Sequence, residues 1–380
     1  MSFNYIENYK DYLTDDFHLV LDLDSLCFNA ASASESRHIE VMHKETKKGG
    51  LKFDKRTDFY GAKPKEIGGW LSQFNSNRVA QDLTPYEKSD FEIIDKQVPE
   101  PISYAIRNLQ GMIKSYCNRF ECHRLILVIE AKGCNNFRNI IPAQQEYKGN
   151  RKGTIRPVHL KELKQYVYDG KLKAFLEREL YDPIIVQAKD READDVINQL
   201  QTKSSLHYDK HGKHTHFVLG VDKDILSNPH GAILWNTHKH DGEYIHPHPL
   251  LYTRGLGKVW AKGNTVKGWG LLHFAMQMML GDNVDNYHAK KNLCSKQYGA
   301  TKFIQDVELI SSGQEVFDLI ERKYNEWFPD NTVKFKWKDT EYSLTVDEWL
   351  ENQFKFVYMK RSQSDKTTYK SFKEEWKDCT

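Results

Sequence analysis

Four short runs of apolar residues alternate along the chain with longer segments of helical periodicity. The runs are His18–Asp22, Leu125–Glu130, Pro183–Gln187 and His216–Val221. Runs that are continuously apolar, and not alternating, are typical of parallel strands buried on both faces. The periodic segments are Ile102–Phe120, Leu160–Tyr181 and Ala193–Gln201. This alternation predicts an α/β fold with a doubly wound, mainly parallel sheet and helices on both faces.

The rest of the chain divides around these elements. Residues 1–267 are predicted to form the α/β domain. Within it, residues 31–100 are polar and rich in Lys, Gly and Ser, which favours a long insertion after the first strand. Beyond residue 268 the chain becomes helical and basic. Residues 326–380 carry four tryptophans among many charges, and this supply of aromatic side chains predicts a small appended helical or mixed subdomain.

The composition is that of a soluble globular protein, with 39% hydrophobic and 28% charged residues in a chain of 380. No apolar run approaches the ~20 residues that a membrane span needs. The first residues lack the basic start and apolar core of a signal peptide, so a cytoplasmic protein without a membrane partner is expected. The six cysteines include no CxxC pair, which favours free thiols over a zinc site or disulfides.

The net charge of +2 indicates little about partners, but the distribution of the basic residues is informative. They concentrate at 43–65, 147–164 and 254–267, with Tyr, Phe or Trp between them. Such stretches suit phosphate contacts and base stacking. The segment GLGKVWAKGN within the third stretch lacks the P-loop pattern, so no nucleotide cofactor is expected.

Acidic residues follow the predicted strands, either directly or after a short loop. Because ligands bind beyond the carboxyl ends of the strands in an open parallel sheet, these side chains are expected to gather at one edge. A further pair, Asp282 and Asp285, is spaced so that one helical turn would place both on one face. The remaining acids of the set are Asp22, Asp24, Glu130, Glu192, Asp194, Asp195, Asp222 and Asp224.

So many carboxylates at one edge would repel one another strongly unless counter-ions or protonation relieved the repulsion. Hard divalent cations with oxygen ligands, Mg²⁺ or Mn²⁺, are the simplest remedy. Two such ions ~4 Å apart can activate water and stabilise the leaving oxygen in phosphodiester hydrolysis. The acids therefore predict a hydrolase with two Mg²⁺ ions, for which Mn²⁺ can substitute.

Four motifs follow one another along the chain: EYKGNR (Glu146–Arg151), EADDVI (Glu192–Ile197), VDKDIL (Val221–Leu226) and LGDNVDN (Leu280–Asn286). In this order they resemble the 5′-nuclease superfamily, which includes the 5′-nuclease domain of bacterial DNA polymerase I, phage 5′-exonucleases and RNases H, and flap endonucleases. The first is similar to the basic motif at the foot of the family's helical arch, and the last to its GDxxDN signature. The resemblance implies a PIN-like fold.

The resemblance also implies roles for individual residues. The first metal would lie among Asp22, Glu130, Glu192 and Asp194. The second site would be completed by Asp195, Asp222, Asp224, Asp282 and Asp285. Lys148 would approach the scissile phosphate, and Arg151 and Tyr147 would hold the backbone or stack the terminal base. Lys148, Arg151 and Asp222 form the expected catalytic set.

The chain departs from the family pattern in places that bear on duplex binding. Glu130 stands where the family usually has the shorter Asp, and the Gly-rich hairpin after GDxxDN has a single glycine here, Gly299. Lysines are therefore expected to contact the nucleic acid: Lys152, Lys290, Lys291, Lys296 and Lys302. Residues 149–182 would form the arch or clamp, and residues 268–325 a helix-hairpin-helix-like duplex-binding region.

The implied function is that of a 5′→3′ exonuclease and flap endonuclease. It would act on DNA with 5′ ends or flaps, or on RNA in RNA–DNA hybrids, in phage-type replication or primer removal. Two alternatives stay open at this point. One is a PIN-type ribonuclease that cuts single-stranded RNA, and the other is a nucleic-acid-binding scaffold without catalysis.

Overall fold

A parallel sheet lies at the centre of the computed structural model, which describes residues 9–47, 49–62, 67–220, 223–231, 234–236 and 254–380. The protein's described strands, in chain order, are β1 (Leu13–Asp22), β2 (Glu35–His43), β3 (Gly49–Phe53), β4 (Phe91–Pro99), β5 (Arg124–Glu130), β6 (Asp182–Ala188), β7 (His214–Gly220), β8 (Leu234–Asn236), β9 (Lys258–Lys262), β10 (Thr265–Trp269), β11 (Val333–Trp337) and β12 (Thr340–Leu344). Its helices are α1 (Leu23–Ser32), α2 (Arg56–Tyr60), α3 (Trp70–Val79), α4 (Ile102–Phe120), α5 (Leu160–Tyr168), α6 (Lys171–Arg178), α7 (Ala193–His211), α8 (Gly270–Leu280), α9 (Ala300–Val307), α10 (Gly313–Trp327), α11 (Val346–Val357) and α12 (Tyr369–Trp376).

The central sheet has the strand order β6-β5-β1-β7-β8, and every neighbouring pair is parallel. The strands β1, β5, β6 and β7 are the four apolar runs, so the predicted α/β class with a parallel sheet is confirmed. From β1 the chain proceeds outward on one side to β5 and β6, and then returns to β7 on the other side. The strand order therefore reverses between β1 and β7, which is where open α/β sheets place their ligands.

Both faces of β1, β5 and β7 are buried, which explains why these strands are continuously apolar, whereas the edge strand β6 is partly exposed. On one face Val20 and Val218 share a core with Val196 of α7. On the other face Phe217 meets Phe120, at the end of α4, with the ring centroids 4.8 Å apart. Helices thus cover both sides of the sheet, as predicted.

The predicted helices are present with two differences in extent. α4 has the predicted bounds, whereas α7 continues to His211, well beyond Gln201. The segment 160–181 forms two helices, α5 and α6, because the chain turns at Gly170, which has a φ of 74°. Glycine adopts this left-handed conformation without a steric cost, and helical periodicity on both sides of it conceals the break.

The chain divides into two compact units. The first comprises Met1–Ser25, Ser115–Ile155 and Gly170–Thr380, and the second Leu26–Lys114 and Arg156–Asp169. The second unit contains the predicted 31–100 insertion, which has an antiparallel sheet of order β3-β2-β4 and its own core. Phe59, Trp70 and Phe91 contribute aromatic rings to that core, and Phe59 stacks on Trp70.

The C-terminal half of the first unit is built around one large core. Phe303 and Phe317 from α9 and α10 share this core with Trp349, Phe354 and Phe372 from α11 and α12. Residues 268–325 and 326–380 therefore pack as one body, and the strands β11 and β12 form an antiparallel hairpin beside Trp349. Over the described residues, every helix is too short or too polar to cross a membrane.

Candidate active site

Three acids lie at or just after the ends of β1 and β5, but among the described residues their carboxylates do not form a group of three within 4.8 Å of one another. The two strands are parallel neighbours, with Asp22 paired to Val128, so both release their chains at the same edge. Asp24 accepts a hydrogen bond from the backbone N–H of Glu130 through Oδ2 at 2.7 Å. Asp22 accepts hydrogen bonds through Oδ1 from the backbone N–H groups of Asp24 at 2.9 Å and Ser25 at 3.3 Å. We call Asp22, Asp24 and Glu130 the strand-end group.

Burial dominates the acidity of Asp22. It raises the pKa of this carboxyl from 3.8 to about 6, in the same direction as the neighbouring Asp24 and against the hydrogen bonds from Ser25. A carboxyl with a raised pKa holds its proton more tightly in the folded than in the unfolded chain. The fold therefore tolerates Asp22 best when it is protonated or when a cation offsets its charge.

This raised pKa predicts a pH-dependent effect of Asp22→Asn on stability. The contribution of Asp22 to the stability of the wild-type protein is expected to become less favourable as pH rises from 3.8 to about 6, because the folded state must then ionise a buried carboxyl. The variant has no such proton and keeps the accepting oxygen. In chelator above that window, we expect the variant to be more stable by about 3 kcal/mol, as measured by urea unfolding across pH.

The exposed Asp15, on the same strand, supplies the control for loss of one negative charge. Asp15→Asn should leave the pH dependence of the wild-type protein in place. An equal gain in stability for Asp22→Asn below and above the window would contradict the role assigned to its proton.

Three buried aspartates form a second group. Asp224 lies in the 3-10 turn Lys223–Ser227 after β7, and Asp282 and Asp285 lie in the turn after α8. One carboxylate oxygen of each lies within 4.8 Å of the other two. The turn is not the helical one that the spacing suggested, because Gly281 ends α8 with a φ of 71° and Asp282 then pairs with Tyr287. We call these residues the three-aspartate cluster.

The donor set of this cluster fits a hard divalent cation. All three ligand atoms are carboxylate oxygens, and no histidine or cysteine belongs to the group. Oxygen-only ligands favour Mg²⁺ or Mn²⁺ over softer metals. Burial raises the pKa of Asp285, while Lys148 lowers it in part. A bound cation would remove the cost of this charge.

The YKGNR loop (Tyr147–Arg151) is fastened to the turn that carries Asp282 and Asp285. The backbone N–H of Lys148 donates to the carbonyl of Asp285 at 2.8 Å, and Asn150 Nδ2 to the carbonyl of Asn283 at 2.6 Å. Lys148 has a φ of 54°, a left-handed conformation that costs a lysine about 1–2 kcal/mol. The hydrogen bonds to the turn hold the loop in this strained form, as happens often at functional sites.

The side chains of this loop point at two acids. Lys148 forms an ion pair with Glu192, and Arg151 Nη2 lies 2.6 Å from Asp285 Oδ1. The hydroxyl of Tyr147 lies 2.9 Å from both Glu192 Oε2 and Asp285 Oδ2. The structure thus brings together the basic motif, the acidic helix start and the GDxxDN motif.

Charge pairing sets the acidity of Glu192, which is buried at the start of α7. Burial by itself would raise its pKa, but Arg138 and Lys148 outweigh this and lower it. The pKa of Lys148 responds to the same two effects in the opposite directions. Burial would lower its pKa, but Glu192 and Asp285 raise it. Both groups therefore stay ionised at neutral pH.

Arg138 is a site residue that the sequence did not reveal. Its side chain is fully buried and binds Asp195 through two hydrogen bonds, of 2.8 and 2.9 Å, and Glu192 at 3.2 Å. It also donates to the carbonyls of Phe356 and Tyr358. The available signal was that Arg138 is the one charged residue between Lys132 and Glu146, and a charge that is buried needs a partner.

Asp195 has both oxygens engaged within the protein. Besides Arg138 it accepts from the backbone N–H of Glu192 at 3.0 Å and of Lys360 at 2.8 Å. These contacts favour a structural role for Asp195 over direct metal binding. Asp194, its neighbour, is partly exposed, and Asp222 lies outside the described residues.

The lysines predicted to contact nucleic acid lie mostly at the surface. Lys152 is exposed and pairs with Glu146. Lys291, Lys296 and Lys302 are exposed, and Lys290 is partly buried near the ring of Trp327. Their positions leave the prediction of duplex contact open to experiment.

Comparison with known proteins gave matches among solved structures. No protein-family model and no curated protein matches the chain. A structure of the T5 D15 protein co-crystallised with metal ions has 13% identity and a TM-score of 0.36, over 66% of this chain and 80% of that one. T5 5′-exonuclease with bound divalent metal ions (zinc) has 15% identity and a TM-score of 0.31, over 65% and 75%.

A third solved structure is similar over a comparable length. It is a bacteriophage T5 D15 flap endonuclease in a pseudo-enzyme–product complex with DNA and metal ions, with 12% identity and a TM-score of 0.31, over 66% of this chain and 90% of that one.

Proposed function

We propose that the protein is a divalent-metal-dependent 5′-nuclease with a PIN-like fold that hydrolyses phosphodiester bonds in DNA bearing 5′ ends or flaps. The observation that supports this best is the docking of the YKGNR loop on the turn of the three-aspartate cluster. It places Lys148 and Arg151 beside buried oxygen ligands. Cationic side chains next to a hard-metal site suit a phosphodiester substrate.

The three-aspartate cluster and the strand-end group would hold the cations, with Asp194 as a further oxygen donor and Asp222 two residues before Asp224 in sequence. Both oxygens of Glu192 are engaged by Arg138, Tyr147 and Lys148, so Glu192 would hold Lys148 in place. Divalent cations supply Lewis-acid charge for activating water and stabilising the leaving oxygen. Lys148 would donate a hydrogen bond to the scissile phosphate, and Arg151 to a neighbouring phosphate. Tyr147 would keep Glu192 and Asp285 in place.

Cleavage of a 5′-labelled flapped duplex tests this proposal. We expect short labelled products with Mg²⁺ or Mn²⁺ and none with excess chelator. Blunt, nicked and gapped duplexes, run in parallel, report whether the enzyme prefers ends or flaps, and an RNA–DNA hybrid reports on RNA. Persistent cleavage in chelator would overturn the metal dependence.

The two alternatives give other results in the same assay. A PIN-type ribonuclease would cut single-stranded RNA faster than flapped DNA. A scaffold without catalysis would bind DNA without cutting it, and calorimetry would detect no tight binding of Mn²⁺.

Lys148→Met is expected to lower kcat by roughly 100-fold to 1000-fold, because one positioned donor to the developing phosphate charge is lost. Folding should survive, since Glu192 keeps Arg138 and Tyr147 as partners. Single-turnover cleavage of the flapped duplex measures the effect. Lys336→Met, an exposed change on β11, is the control. A drop in affinity alone, with the cleavage rate unchanged, would assign Lys148 to binding only.

A further inference from the structure

α8 is an almost wholly apolar helix with two polar side chains in its middle. Its residues from Gly270 to Met279 are all buried, and among them only His273 and Gln277 carry polar side chains. A buried polar group is costly unless it is hydrogen-bonded. Because the two residues are four positions apart, they lie on one face of the helix. That face must therefore meet polar partners.

The partners belong to the turn that carries Asp224. Gln277 donates through Nε2 to Asp224 Oδ1. Ser227 Oγ lies 2.7 Å from Gln277 Oε1, and 2.7 Å from Nδ1 of His273. All four side chains are buried. They form a continuous chain of hydrogen bonds that ends on an aspartate of the three-aspartate cluster.

Elementary chemistry sets the direction of every bond in this chain. An ionised carboxylate only accepts, so the amide N–H₂ of Gln277, and not its oxygen, must face Asp224. The amide oxygen then accepts the single hydroxyl proton of Ser227. That hydroxyl can in turn accept from His273, if its imidazole carries the proton on Nδ1. The order is His273 to Ser227 to Gln277 to Asp224.

This chain of hydrogen bonds resists the side-chain rotation that repulsion among the carboxylates of the cluster favours. Carboxylates of like charge within 4.8 Å of one another repel, and rotation of one side chain would relieve the repulsion. A buried amide that is itself anchored by Ser227 prevents Asp224 from rotating. Replacing a residue that orients a metal ligand in this way typically lowers metal affinity roughly 10-fold to 100-fold.

We propose that Gln277 is a positioning residue that orients Asp224 for divalent-cation binding, with Ser227 and His273 as its anchors. The proposal rests on the proposed metal-dependent function, and it adds residues that the family motifs do not include.

Calorimetric titration of the metal-free full-length protein with Mn²⁺ alone tests this proposal. Gln277→Met keeps the length of the side chain and removes the donor, so we expect Mn²⁺ affinity to fall about 10-fold to 100-fold. Gln353→Met is the matched control. Gln353 is equally buried, on α11, and its amide has no hydrogen-bond partner among the described residues.

A second variant keeps the test decisive if Gln277→Met does not fold. Ser227→Ala retains the contact between Gln277 and Asp224 but removes its anchor, and should weaken Mn²⁺ binding by a smaller factor. Thermal unfolding of each variant in chelator separates a loss of stability from a loss of affinity.

The possible outcomes separate this inference from the proposed function. If the wild-type protein binds no Mn²⁺, the proposed function fails. If it binds Mn²⁺ and the Gln277 and Gln353 variants bind equally well, the function stands and the positioning role is wrong. Lower stability of Gln277→Met with unchanged affinity would likewise overturn the positioning role.

Discussion

Asp282→Asn is expected to abolish metal-dependent cleavage while making the metal-free protein more stable. The cleavage rate should fall about a thousandfold or more, which corresponds to the several kcal/mol of transition-state stabilisation that a bound metal contributes. The melting temperature in chelator should rise. Opposite effects on activity and stability are the mark of a group kept for function.

The substitution is conservative in shape, so the turn should survive it. Asp282 Oδ1 accepts a hydrogen bond from the backbone N–H of Val284 at 2.7 Å, and the oxygen of an asparagine can accept the same bond. Only a negative charge and part of the ligand capacity are lost. Because Asp224 and Asp285 lie within 4.8 Å of it, removing this charge relieves repulsion in a buried place.

Metal-induced stabilisation offers a readout that does not depend on activity. A ligand that binds only the folded state raises the melting temperature. Mn²⁺ should therefore stabilise the wild-type protein and fail to stabilise Asp282→Asn. The control Asp339→Asn removes a charge from an almost fully exposed side chain and should respond to Mn²⁺ as the wild type does. If Asp282→Asn destabilised the metal-free protein instead, the cluster would be a structural one.

The central sheet could be predicted because its signals are local. β1, β5, β6 and β7 are each continuous apolar runs, and both faces of β1, β5 and β7 are buried, whereas β6 at the edge of the sheet exposes Ile184. In a parallel sheet all strands end at the same edge, so the acids at the strand ends are expected there whichever strands are neighbours. The docking of EYKGNR on LGDNVDN was not predicted from the sequence. Its geometry depends on contacts between residues more than 130 positions apart.

Other parts of the site depend on contacts that no local pattern contains. The partners of Arg138 lie up to 221 positions away along the chain. Gln277 and Asp224 are 53 positions apart, and neither His273 nor Gln277 belongs to a motif. The core of the 31–100 segment was also missed, because it is built from a few aromatic rings, such as Phe59 and Trp70, without helical or strand periodicity.

Arg138→Met is expected to cost about 3–5 kcal/mol of folding free energy, because it leaves the carboxylate of Asp195 buried without its counter-charge. Burial alone would lower the pKa of Arg138, but Asp195 and Glu192 raise it well above its ordinary value, so the guanidinium is always charged. The carbonyls of Phe356 and Tyr358 also lose their donor. Urea unfolding measures the change.

Arg138→Met should also reduce local order at two segments, because Arg138 joins the start of α7 to the segment after α11. It binds Glu192 and Asp195 on one side and the Phe356 and Tyr358 carbonyls on the other, and Lys360 donates its backbone N–H to Asp195. We expect Arg138→Met to make the start of α7 and the segment after α11 less ordered together. Amide exchange should increase at the first turn of α7 and at residues 356–360 more than in the central sheet.

A double-mutant cycle separates the lost charge pair from the lost packing. Asp195→Asn removes the buried charge and keeps one oxygen, which can accept from the N–H of Glu192 or of Lys360 but not from both, since the two donate to different oxygens of Asp195. Combined with Arg138→Met, it should restore part of the lost stability, because no uncompensated charge stays buried. Arg322→Met, at an exposed pair with Glu326, should cost less than about 1 kcal/mol. An equally small cost at Arg138 would show that its charge is not what holds Asp195 and the C-terminal segment in place.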